Sequence, residues 1–241
     1  MIAGYWLRVT EKMWQIKNDI FSDDKFFYRN LVTTKKLGNL KDDNLRKIFC
    51  SQYSIDFGSL TTAEQVHDNK VAVVNENNKG QKIALCDGLI TNCLNLPLAI
   101  FTADCIPIFL SSKSVPVIGI IHAGWRGLEK KIIEEAIKIF IEDFKVHPKD
   151  IFATLGPHIQ KCCYEVSKEL KSIFGLNEKE NKLNLSSVAV KQLKEAGVKK
   201  ISLNKHCTCH EPDMFFSYRR EKTASRMMSL AVIEKINEAK K

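Results

Sequence analysis

The chain has 241 residues, 44% of them apolar and 27% charged, with 11 glycines and 6 prolines. That balance excludes a disordered or collagen-like chain, and the length suffices to bury a core without disulfide staples. The formal net charge is +9, but segment 61–130 carries six basic residues and six acids. The excess therefore sits in scattered lysines, and a nucleic-acid partner is set aside.

Leu94–Leu110, the longest apolar stretch, is interrupted by Asp104 and contains Pro97 and Pro107, so no membrane span is expected. The opening residues lack a basic region followed by a long apolar run, so a cytoplasmic location is expected. The eight cysteines are then read as thiols rather than a disulfide framework.

Taken in chain order, the first 60 residues read weakly, with loop and short helix over Thr33–Lys47. Val71–Val74 reads as a strand closed by the turn-like stretch 75–80. Further strands are predicted at Leu98–Thr102, Ile106–Leu110 and Val117–Ile121. From Leu128 to Phe144 apolar residues recur every three or four positions, which predicts one amphipathic helix ending before Pro148. Ile151–Leu155 and Lys200–Leu203 read as strands. Ser167–Phe174, Ser187–Ala196 and Ala224–Ala239 read as helices, the first two closed by Gly175 and Gly197. The pattern is α+β, with helical layers covering sheet.

Three residues at ends of apolar runs suggest chemistry: His67, Cys105 and His122. One cysteine and two histidines form a mixed sulfur and nitrogen set suited to zinc, leaving the fourth tetrahedral position for water. Spacings of 38 and 17 residues carry no zinc-finger regularity. On residues alone, a loop histidine, a buried thiol and a core histidine are the readings favoured over a metal set. Arg126, between Gly124 and Gly127 ahead of a helix, is a candidate anion contact, with a surface turn as the alternative. Tyr164 and Glu165 follow the Gly156-Pro157 turn and are candidates to line a pocket, with His158 as a further polar contact. Arg219 and Arg220 are candidate phosphate contacts. The His206–His210 tract, with Cys207 and Cys209, is expected to form no metal cage of its own.

In order, Gln65-Val-His67, Cys86-Asp-Gly-Leu-Ile-Thr91, Thr102-Ala-Asp-Cys-Ile-Pro107, His122-Ala-Gly-Trp-Arg-Gly127, Gly156-Pro-His-Ile159, Cys163-Tyr-Glu-Val166, Cys207-Thr208 and Phe215-Phe-Ser-Tyr-Arg-Arg220 resemble the laccase-domain family. This family is also known by purine nucleoside phosphorylase, polyphenol oxidase and peptidoglycan-editing members. The resemblance implies a single α/β/β/α layered domain over 1–241, of a type related to cysteine hydrolases. It implies zinc held by His67, Cys105 and His122, which would be the catalytic centre. It further implies phosphorolysis of adenosine, inosine or S-methyl-5′-thioadenosine, with adenosine deamination as a second reaction. Purine nucleoside and phosphate would be the partners. Copper is the less favoured metal, because one His/Cys/His site cannot build the trinuclear cluster of four-electron oxygen chemistry. The rival readings are a Cys-His hydrolase, a peptidoglycan-precursor editing enzyme, a copper polyphenol oxidase and a non-enzymatic metal or redox sensor. Thr33–Gly38 departs from the Thr-Arg-Gly-Gly-like stretch usual in the family, so a pocket arginine is expected to be missing there. Gln160 stands where glycine is usual, and Ala224-Ser225-Arg226 where a Gly-Arg pair is usual.

Overall fold

The computed structural model describes residues 14–234. Its strands are β1 (Trp14–Lys17), β2 (Ile20–Asp23), β3 (Arg29–Thr33), β4 (Thr61–Ala63), β5 (Val71–Val73), β6 (Lys82–Ile83), β7 (Gly88–Thr91), β8 (Leu98–Thr102), β9 (Ile106–Ser112), β10 (Val117–Ala123), β11 (Ile151–Leu155), β12 (Lys200–Leu203) and β13 (Met227–Val232). The helices are α1 (Asp43–Gln52), α2 (Trp125–Glu129), α3 (Ile132–Glu142), α4 (Lys168–Ile173), α5 (Leu185–Glu195) and α6 (Tyr218–Glu221). One sheet has the order β1-β2-β3-β13-β8-β4-β6, and the other β12-β11-β9-β10-β7-β5.

Side-chain alternation builds the layers. On β8, Leu98 and Ile100 enter the core between the sheets, where they join Phe109, Ile118 and Ile120. Ala99 and Phe101 instead pack with Phe49 and Cys50 of α1. On β10, Val117 and Ile121 face a third core with Ile133 and Ile137 of α3 and Leu193 of α5. Helix, sheet, sheet and helix therefore stack as α/β/β/α. Strands buried on both faces have no polar side to show, which is why β8, β9 and β10 read as continuous apolar runs.

The structure corrects three expectations. The helix expected from Ala224 is strand β13, paired with β3 and β8; residues 235–239 lie outside the described residues. Met227 and Ala231 face the inter-sheet core, while Met228, Leu230 and Val232 face the α1 layer. Such a run, apolar on both faces, has the composition of a buried helix and hides its period of two. The single helix expected over Leu128–Phe144 is two helices, α2 and α3, separated where Lys131 takes a left-handed φ of 66°. The weakly read N-terminal region holds a hairpin of β1 and β2. Asn18 and Asp19 supply its two positive-φ turn positions, a signal present in the sequence.

Candidate metal centre and its cavity

Sheet register brings the site together. Ala123 of β10 pairs with Ile106 of β9, which puts Cys105 beside Gly124. Ile121 pairs with Gly88 of β7, and the His122 backbone N–H donates to the Asp87 carbonyl at 2.7 Å. Cys105, His122 and Asp87 thus meet at one end of the second sheet. His67 arrives from the loop after β4. The Gln65 side chain ties that loop to β8, donating to the Phe101 carbonyl and accepting from its N–H, both at 2.8 Å.

Donor atoms of His67, Cys105 and His122 lie within 4.8 Å of one another. The two imidazoles are edge to face, with centroids 4.8 Å apart. His122 is buried, Cys105 half-buried and His67 exposed, so the set opens outward on one side. A Cβ at Gly124 would sit 2.9 Å from Cys105 Sγ and 3.6 Å from His67 Cδ2, so the site needs the space glycine leaves. One thiolate and two imidazoles, with a side open to the cavity, suit a borderline-soft divalent cation.

Two aspartates that sequence reasoning did not assign to the site hold these ligands. Asp87 is fully buried. Its Oδ1 accepts from the His67 backbone N–H at 3.0 Å and contacts His122 Nδ1 at 2.7 Å. Its Oδ2 accepts from the N–H groups of Val66 at 3.0 Å and Asp68 at 2.9 Å. Three successive N–H groups form a nest around one carboxylate, stabilising the left-handed φ of 62° at His67. The same carboxylate accepts a hydrogen bond from His122 Nδ1–H, which leaves Nε2 for a cation. Asp104 does the equivalent work beside Cys105. Its carboxylate accepts from Thr208 Oγ1 at 2.7 Å and the Arg219 N–H at 2.6 Å, and its carbonyl from the Ile159 N–H at 2.9 Å. The visible signals were the Cys86-Asp87-Gly88 and Ala103-Asp104-Cys105 motifs, but neither partner set is local in sequence.

Electrostatics follow from this packing. Burial opposes ionisation of Cys105, yet the imidazoles of His122 and His67 outweigh it and bring the thiol down to about 6. Burial also opposes charge on His122, while Cys105 and Asp87 favour it and raise the ring to about 9. Asp87 pays for its burial with hydrogen bonds from His122 and the nest, and its carboxyl titrates below its ordinary value. Cys105 and His122 therefore each favour the charged form of the other.

The triad lines a cavity of about 860 Å³. Arg126, Tyr164 and Arg219 line it too. Arg126 lies over the Trp125 ring at 4.3 Å and Arg219 over Tyr164 at 5.0 Å. Burial above all raises the Tyr164 hydroxyl to about 12, so it remains a donor at neutral pH. The structure does not bring Arg220 or Glu165 to the cavity. The Arg220 guanidinium donates to the carbonyls of Thr208, Cys209 and Phe215 at 2.7–2.8 Å, which makes it a clamp on the chain. Glu165 is exposed and offers its carbonyl to Arg219 at 2.9 Å. His158 is buried and also absent from the lining; burial depresses it to about 4, and Nδ1 bonds the Gly156 carbonyl at 2.8 Å. The lining also carries cations missed in the sequence: Lys41, Arg46, Lys82, Lys222 and Arg226. Arg46, packed over Phe101 at 5.5 Å, supplies a pocket arginine although Thr33–Gly38 does not.

The profile of the family described as multi-copper polyphenol oxidoreductase laccase matches residues 25–234. The chain belongs to this family. A purine nucleoside phosphorylase of Clostridium acetobutylicum is 32% identical over 227 residues, covering 88% of this chain and 94% of that protein. A purine nucleoside phosphorylase of Aquifex aeolicus is 42% identical over 151 residues, 61% of this chain and 70% of that one. Among solved structures, the hypothetical protein YfiH of Bacillus licheniformis superposes with a TM-score of 0.86 at 25% identity, over 92% of this chain and all of that one. YlmD of Geobacillus stearothermophilus gives the same TM-score at 24% identity, covering 93% and 100%. Family and two-sheet α+β fold therefore agree with the resemblance. Among the described residues no helix is long and apolar enough to cross a membrane.

Proposed function

We propose that the protein is a zinc-dependent purine nucleoside phosphorylase acting on adenosine, inosine or S-methyl-5′-thioadenosine, with adenosine deamination as a second activity. The observation that carries this reading is a His/Cys/His set on the wall of a cation-rich cavity. The names of the relatives agree with it. Zinc is favoured over copper because the lining contains only two histidines and no axial methionine. Bound there, zinc would supply a Lewis acid and a water acidified to about pKa 7.

The chain's own residues would do the rest. Phosphorolysis exchanges the bond from ribose C1′ to the purine for a bond to phosphate. Lys41, Lys82 and Arg226 line the cavity together, with Glu64 paired to Lys82 at 3.5 Å. Burial, then Arg226 and Lys82, lower the Lys41 ammonium, so an anion there relieves repulsion. Arg126 extends a further cation into the cavity. The protonated Tyr164 hydroxyl would donate to the departing base or a sugar hydroxyl. Trp125 and Tyr218 offer aromatic surface to a purine.

The test is purine release from each nucleoside with and without phosphate, alongside ammonia release from adenosine. Release that ignores phosphate sinks the phosphorylase reading. We expect Arg126→Ala to raise the phosphate KM about 10- to 100-fold, the cost of one charge-assisted hydrogen bond of about 1.5–3 kcal/mol. Deamination and metal content should stay near wild type. An equal fall in both activities would make Arg126 a support of the whole pocket instead.

One observation favours a second reading. Cys105 and His122 favour each other's charged forms, and a thiolate beside an imidazolium is the ground state of a cysteine nucleophile. Full activity in chelator-stripped protein would select it.

A further inference from the structure

A second cluster of soft ligands lies on the far side of the Tyr164 segment. Cys162 Sγ is 3.5 Å from Cys163 Sγ and 3.7 Å from Cys207 Sγ, and all three sulfurs lie within 4.8 Å of one another. His210 Nδ1 is 3.8 Å from Cys163 Sγ. Two zinc–thiolate bonds of about 2.3 Å at a tetrahedral angle put their sulfurs about 3.8 Å apart. Adjacent cysteines normally point to opposite sides, but here a turn, closed by the Cys163 N–H on the Gln160 carbonyl at 3.0 Å, brings both sulfurs together. The Gln160 N–H donates to Cys207 Sγ at 3.4 Å, a bond that stabilises sulfur carrying negative charge. Cys162 is exposed and gives an ion a way in, while Cys207 is buried.

We propose that Cys162, Cys163, Cys207 and His210 bind a second zinc ion, separate from the His67, Cys105 and His122 centre. The three sulfurs supply three corners of a tetrahedron, and His210, whose Nδ1 meets Cys163 Sγ, would turn inward to supply the fourth, which makes the site structural. Its place in the fold gives it a role. It joins the segment carrying Tyr164 to the segment carrying Thr208, whose hydroxyl holds Asp104 beside Cys105. A cation there would tie the segment of the cavity-lining Tyr164 to the segment that anchors Asp104 through Thr208. The expectation that the 206–210 tract holds no metal considered that tract alone. The partners come from a segment about 45 residues earlier in the chain. His206 takes no part, because its Nδ1 is engaged by Glu211 at 2.6 Å.

The proposal does not depend on the activity assigned above. Metal content is measured on full-length, zinc-loaded and desalted protein, in a Cys105→Ala background that removes a ligand of the first centre. That variant should hold about one zinc per chain, and wild type about two. Adding Cys162→Ser and Cys207→Ser should remove the remaining ion, with circular dichroism reporting the fold. Cobalt loading of Cys105→Ala should give thiolate-to-metal charge-transfer absorption that the added substitutions abolish. The exposed single variant Cys162→Ser, in the same background, should lose at least about tenfold in zinc affinity against a competing chelator, even if the multiple variant folds poorly. A folded Cys105→Ala protein that binds no zinc overturns the proposal. So does bound zinc that the Cys162 and Cys207 substitutions leave in place. Failure of the first centre looks different: wild type would hold one zinc, unaffected by Cys105→Ala and lost with Cys162 and Cys207.

Discussion

Cys105→Ala is expected to abolish turnover and binding at the first metal centre together. The residue supplies the only sulfur of the His67, Cys105 and His122 set. It is also the charge that, after burial, contributes most to His122. Removing it leaves two imidazoles, too few ligands to hold zinc against dilution. Any acidified water goes with the metal, so activity should fall to background rather than by a modest factor. Zinc content and both nucleoside assays are the checks. Full activity in the alanine variant would end the metal mechanism and the cysteine-nucleophile reading alike. Loss of activity with the zinc of this centre retained would favour the nucleophile.

Asp87→Asn should be the most damaging substitution among residues that do not bind the metal. Each carboxylate oxygen serves two nitrogens: Oδ1 meets His67 N and His122 Nδ1, and Oδ2 meets the N–H groups of Val66 and Asp68. An asparagine must turn its NH2 toward one of these pairs, where donors face donors. At least one backbone N–H is then left unpaired in a buried place, and we expect a loss of about 2–4 kcal/mol. For a chain of this length that lowers Tm by several degrees. Zinc affinity should fall about 10- to 100-fold, as for other carboxylates that orient metal-bound histidines. Calorimetry and competition with a chromogenic chelator measure the two effects. Wild-type affinity would show that sheet register alone orients His122. The carboxylate is charged above its depressed folded pKa, so its contribution is present at neutral pH. It is lost as acidification protonates Asp87.

Local patterns determined much of this protein. The apolar runs of β8, β9 and β10, the helical period of α3 and the ordered motifs around His67, Cys105 and His122 are each readable within a short window. These sufficed for the layered fold and for naming three residues that the fold brings together, partly through family resemblance. Tertiary structure decided what depends on partners far along the chain. Arg220 resembles Arg219 in sequence, yet one clamps backbone carbonyls and the other lines the cavity. β13 is a strand because β3 and β8 sandwich it, and its own residues fit a buried helix equally well. Asp87 and Asp104 looked like ordinary motif residues until register set them against His122 and Thr208. Cys162 and Cys163 met Cys207 only when the turn after β11 packed against the segment following β12. Periodicity records which face of an element is buried. It holds no information on which side chain from another element arrives there, and a site is made of those arrivals.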